Sequence, residues 1–227
     1  MLASFLCNLR GALLDPALPP WASQVLPLLG LWPLAVVIAG FVTAGAGVAS
    51  AQDVYKVNYF DTNIPSVSGI PVPDATVRID NPGLTYGNLC AMIYVFAADQ
   101  QLTECCGCNE THNGLRKLSV RTNLTSNPLT GVVPVSGVIK VVSAAVNDSP
   151  CDPTSNVSPK SNLRVWGTHI QGGTALGSFG GLVWPVTETE SSDSTLGATE
   201  LANLQAQCSF VKILGSGAGI CSCGTGD

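Results

Sequence analysis

Eight of the nine cysteines in this chain of 227 residues lie well beyond a long apolar N-terminal stretch: Cys90, Cys105, Cys106, Cys108, Cys151, Cys208, Cys221 and Cys223. No other feature narrows the possible folds as much. An even set of cysteines in an exported chain is the usual mark of a disulfide framework. Each bridge contributes about 2–4 kcal/mol, mainly by restricting the unfolded chain. Spacing does not choose among the possible pairings.

The case for export rests on the leader. Residues 28–42 carry no charge, small residues follow, and Ala49-Ser50-Ala51 closes the stretch. Small side chains at these positions suit signal peptidase, so the sequence predicts a signal peptide over 1–51, cleaved before Gln52, and a single disulfide-rich domain over 52–227. The alternative is an uncleaved anchor over Leu28 to Val48, since about 20 apolar residues span a bilayer. Either way the expected location is outside the cytoplasm: secreted, periplasmic or at the cell surface. Any membrane attachment would run through an uncleaved leader.

Charge narrows the partners. The formal net charge is -5, and Arg10 and Asp15 of the leader cancel, so the remaining chain carries the same charge. The few Lys and Arg are scattered, whereas nucleic-acid binding needs a concentrated basic surface. Nucleic acid is therefore excluded as an expected partner, and an extracellular protein or glycan is left.

From Gln52 onward, short β runs alternate with turn residues. Val54 to Phe60 opens the domain, and a Pro-rich loop or edge spans Ile64 to Pro73. Ala75 to Ile79 alternates and ends at the turn Asp80-Asn81-Pro82-Gly83. Leu89 to Phe96 is apolar at nearly every position and is expected to be central and buried on both faces, with Gln101 to Cys105 as its hairpin partner. Leu115 to Val120, Val138 to Val142 and Leu163 to Ile170 supply further strands. Leu182 to Val186 reads as an edge strand because of Pro185. Ser194 to Cys208 has helical composition, with Leu201, Leu204 and Cys208 on one face and Ser194 or Thr195 as N-cap. Cys208 would pin that helix to the sheet, and Cys221 and Cys223 would tie down the Gly/Ser tail. The expected fold is mainly β: an antiparallel β-sandwich, immunoglobulin-like in architecture only, with one short C-terminal helix.

Three blocks occur together: Asn88 to Phe96 leading to Glu104-Cys105-Cys106-Gly107-Cys108, Asn113-Gly114-Leu115 through Leu124 to Gly131, and Cys208-Ser209-Phe210 through Gly215-Ser216-Gly217 to Cys221. The chain resembles a group of exported bacterial proteins, without assigned activity, that share such cysteine and Gly-Ser-Gly blocks. The resemblance implies export and disulfides and brings no catalytic or binding residues.

The catalytic inventory is thin. Two histidines are present, His112 and His169, and no Gly-x-Ser-x-Gly elbow lies between a strand and a helix. His169 reads as a surface or half-buried strand residue. Glu188, Glu190 and Asp193 form the strongest acidic group. Glu188 and Glu190 would share one strand face and suit a glycosidase pair if held about 5–10 Å apart. The same three carboxylates are also weak candidates for a calcium site, or simply a solvated acidic loop before a helix. The five sulfurs of Cys105, Cys106, Cys108, Cys221 and Cys223, with His112 near in sequence, suggest zinc, iron–sulfur or redox chemistry, but the spacing suits disulfides better. Sequons at Asn109, Asn123, Asn147 and Asn156 carry little weight in the bacterial setting that the resemblance implies. The expectation is a structural or binding module without catalysis or cofactor. The alternatives are an extracellular metal-binding protein and a carboxylate-dependent glycoside hydrolase.

Overall fold

A computed structural model of the chain describes residues 53–64, 73–84, 87–146, 150–155, 158–170, 174–175, 182–215 and 221–223. The leader, most of the Pro-rich stretch, Asn147, Asn156 and most of the Gly/Ser tail lie outside these residues. The strands are β1 (Tyr55–Asp61), β2 (Thr76–Asp80), β3 (Leu89–Ala97), β4 (Leu102–Glu110), β5 (Leu115–Ser119), β6 (Ser136–Ala145), β7 (Arg164–Ile170), β8 (Thr174–Ala175), β9 (Leu182–Val183), β10 (Val186–Glu190) and β11 (Ser192–Ser194). Among the described residues one helix, α1, spans Ala198–Leu214, and a π-helical turn spans Val120–Leu124. Among the described residues no helix is long and apolar enough to cross a membrane.

Two antiparallel sheets carry the fold, one ordered β11-β1-β6-β3-β4 and the other β10-β7-β2-β5. Their pairing is nested: β2 lies against β7 in one sheet, while β3 lies against β6 in the other. Strand β3 explains why the first sheet is buried on both faces. Leu89, Ala91, Ile93 and Val95 project into a core shared with Val77, Ile79, Leu118 and Val165 of the second sheet. Cys90, Met92 and Tyr94 project the other way, into a core completed by Leu204, Cys208 and Val211 of α1. An alternating strand satisfies only one buried face, whereas the near-continuous apolar run of β3 supplies two.

Near the start of β4 the register with β3 shifts by one residue, so that Phe96 opposes Leu102 while Val95 opposes Glu104. The extra residue lets both Leu102 and Cys105 face the helix, although strict alternation would separate them. The two sheets are joined at one edge by a single residue. Ser191 links β10 of the second sheet to β11 of the first. It is buried, its amide donates to the Val165 carbonyl at 2.8 Å, and its hydroxyl accepts from the Asn58 amide at 3.2 Å.

Helix α1 departs from the expected bounds at both ends. Ser194 pairs with Tyr55 as part of β11, so the N-cap falls to Gly197, which offers no side-chain cap. The helix then continues past Cys208 to Leu214, which places that cysteine inside it. Pro185 also divides its segment: β9 ends at Val183, and β10 begins at Val186 as the edge strand of the second sheet.

Candidate functional site

The cysteines converge on β4. Cys105 pairs with Cys208 of α1, Cys106 with Cys221 and Cys108 with Cys223, while Cys90 of β3 pairs with Cys151. Alternation along the strand sends Cys105 to the helix side and Cys106 and Cys108 to the core between the sheets. Gly107 sits between them because Cys151 occupies its missing side chain's space: a Cβ there would run into the Cys151 carbonyl. The five sulfurs considered from the sequence are therefore not brought together. Cys105 lies on the opposite face from the others, and His112 is in the exposed turn after β4. The sulfurs of Cys106, Cys108 and Cys223 do lie within 4.8 Å of one another. Each is already in a disulfide, and a metal takes thiolates.

The acidic group is dispersed as well. Glu188 receives two hydrogen bonds from Arg78 Nη1, at 2.6 and 2.7 Å. Asp193 lies directly across from Lys56 and pairs with it, and Lys56 also pairs with Asp53. Burial acts to lower the Lys56 ammonium, but the Asp193 and Asp53 carboxylates outweigh it and raise its pKa. Glu188 and Glu190 do share one face of β10, yet they line different concavities. A glycosidase pair needs both carboxylates on one substrate bond.

His169 is buried, at 6 % exposure, in place of the surface or half-buried position expected from the sequence. On β7 it follows Val165 and Gly167 on the inward phase. Its Nε2 lies 2.8 Å from Thr189 Oγ1, and its ring stacks on Tyr59 with centroids 4.1 Å apart. Burial pulls the imidazole below the ordinary histidine range. No hydrogen-bond partner for its Nδ1 occurs among the described residues.

The outward phase of the same strand builds a feature that reading the sequence missed. Trp166 stands half-buried on the outer face of the second sheet, directly opposite Arg78 on β2 and Glu190 on β10. Together with Arg78, Asp80, Leu115 and Glu188 it lines a concavity of about 530 Å³. Leu115 is 52 % exposed beside it. A signal was present in the sequence: Arg164, Trp166 and Thr168 form the polar phase of an alternating strand, and a large aromatic there has no core to enter. A second concavity of about 380 Å³ lies near the β1–β10 edge and includes Tyr59, Thr189 and Glu190. Comparison with protein-family models, curated proteins and solved structures gives no match.

Proposed function

We propose that the chain is an exported, disulfide-stapled binding module that acts outside the cytoplasm, without catalysis, once residues 1–51 have been removed. The observation that carries this reading is the attachment of β4, by three bridges, to segments 103 to 115 residues away. Such bridges persist in oxidising compartments and are rare in the cytosol. The two antiparallel sheets with a shared core support a β-sandwich of immunoglobulin-like architecture. The cysteine blocks support membership of the exported bacterial group. The acidic groups support binding over catalysis, because Arg78 and Lys56 neutralise Glu188 and Asp193 separately.

The test is an intact mass of the exported protein, with free thiols alkylated before and after reduction. Expected are a chain starting at Gln52 and no alkylation until reduction. Free thiols among the eight cysteines would overturn the reading. Metal binding has one observation in its favour, the sulfurs of Cys106, Cys108 and Cys223 within 4.8 Å. It requires those bridges to be open, and elemental analysis of protein purified without chelators decides it.

A further inference from the structure

We infer that the outer face of the second sheet, centred on Trp166, binds a neutral oligosaccharide. The inference rests on the binding-module reading and gives it a ligand class. A sugar ring has one face of C–H groups and a rim of hydroxyls that both donate and accept. Recognition therefore needs a flat π surface beside fixed donors and acceptors. Trp166 supplies the surface, since an indole face is electron-rich and attracts polarised C–H groups.

Arg78 and Glu188 supply the rim. A single nitrogen, Nη1, serves both Glu188 oxygens, and the rest of the guanidinium fork has no hydrogen-bond partner among the described residues. The pair is 38 % and 37 % exposed, so it is held in place yet still reachable from solvent. Arginine has five N–H donors in a rigid fork, and carboxylate oxygens accept more than one bond each. Asp80, which also lines the concavity, adds further acceptors. Its volume falls within the usual range for small-molecule sites, about 300–1,000 Å³.

The charges argue for the same ligand class. On this face the cations Arg78, Lys117 and Arg164 offset the carboxylates Asp80, Glu188 and Glu190, with Lys117 opposite Arg78 and Arg164 opposite Asp80. With the two signs balanced, the face carries no net charge that would select an anionic or a cationic ligand over a neutral one. A neutral polyhydroxylated chain meets donors, acceptors and a stacking surface within one span of the sheet.

The experiment titrates 15N-labelled protein with cellotetraose, xylotetraose, chitotetraose and maltotetraose, and follows the Trp166 indole N–H resonance. That resonance is assigned by its loss in Trp166→Phe. Expected is a shift of Trp166, and not of Trp184, with at least one of the four. Trp166→Ala and Arg78→Lys should each weaken that binding by about tenfold or more. No shift with any probe at millimolar concentration, or an undiminished affinity in Trp166→Ala, overturns the inference. So does a Trp166 response to oligolysine alone, which would mark the face as a site for a basic protein. An intact mass of the same sample keeps the two readings apart. Closed bridges with no saccharide response defeat only the saccharide, whereas open bridges defeat the stapled module itself.

Discussion

Cys105 and Cys106 are adjacent in β4 and bridge in opposite directions, Cys105 to Cys208 in α1 and Cys106 to Cys221 beyond it. One peptide unit therefore holds the layer of α1 on one side of the sheet and the C-terminal segment on the other. Because the two bridges act on different faces, their removal should have separable effects.

Replacing Cys105 and Cys208 together by Ala should cost about 2–5 kcal/mol of unfolding free energy. The loss should concentrate on α1. Amide hydrogen exchange is expected to quicken across residues 198–214 while β2, β5 and β7 keep their protection. Uniform quickening across both sheets would mean that the helix is not an independently held layer.

Gly107→Ala tests how closely Cys151 approaches β4. The added methyl would meet the Cys151 carbonyl, and overpacking of this kind costs about 1–3 kcal/mol. Expected on oxidative refolding is an increased fraction of chains with Cys90 and Cys151 alkylated, read by peptide mapping. Gly197→Ala serves as a control, because a Cβ there meets no atom within 4 Å and its φ is -83°.

Arg116 holds three acceptors: Glu110 Oε1 at 2.5 Å, the Asn109 carbonyl at 2.9 Å and the Cys223 carbonyl. Glu110 is 2 % exposed. Burial raises the Glu110 pKa and Arg116 partly offsets that. Arg116→Met leaves the carboxyl without its partner and should destabilise by about 3 kcal/mol in denaturant melts. Adding Glu110→Gln should recover part of that loss. No recovery would locate the cost in the Cys223 and Asn109 carbonyls.

His169 makes a prediction about pH. Its pKa is depressed in the folded protein, so the unfolded chain takes up this proton at higher pH than the folded one does. The stability from keeping the ring neutral is complete above about pH 6.5 and is lost as pH falls through the folded value. The gap in stability between wild type and His169→Gln should therefore narrow on acidification below about pH 6.5 and stay constant above it. Taking the difference removes Glu104 and Glu110, whose raised pKa values act in the opposite sense. A gap that widens on acidification would contradict a buried neutral imidazole.

How much was legible differed from element to element. The apolar run of β3 announced a strand buried on both faces because no polar residue interrupts it. The start of α1 was misread because Ser194, a good cap in isolation, is recruited by Tyr55 into β11; long-range pairing overrides a local preference. Disulfide partners separated by 61 to 115 residues leave no local trace. Glu188 and Glu190 were placed correctly on one strand face, but Arg78 comes from more than 100 residues earlier in the chain, so the sequence did not show that Glu188 is occupied. Trp166 was legible in principle from its phase, but the alternation of Leu163 to Ile170 was used only to place a strand and not to ask which side chains its outer face carries.

Strand β4 ends the first sheet, and an outermost strand offers its unpaired backbone groups to any passing chain. Here the protein's own C-terminal segment bonds to that strand at one point. The Cys221 amide donates to the Cys105 carbonyl at 3.2 Å, and the bridges from Cys106 and Cys108 hold the segment there. The sulfurs thus fix a chain beside the outermost strand as well as bracing the core. Opening these two bridges would uncover a strand edge, and the reduced protein is expected to polymerise at concentrations where the oxidised form stays dispersed.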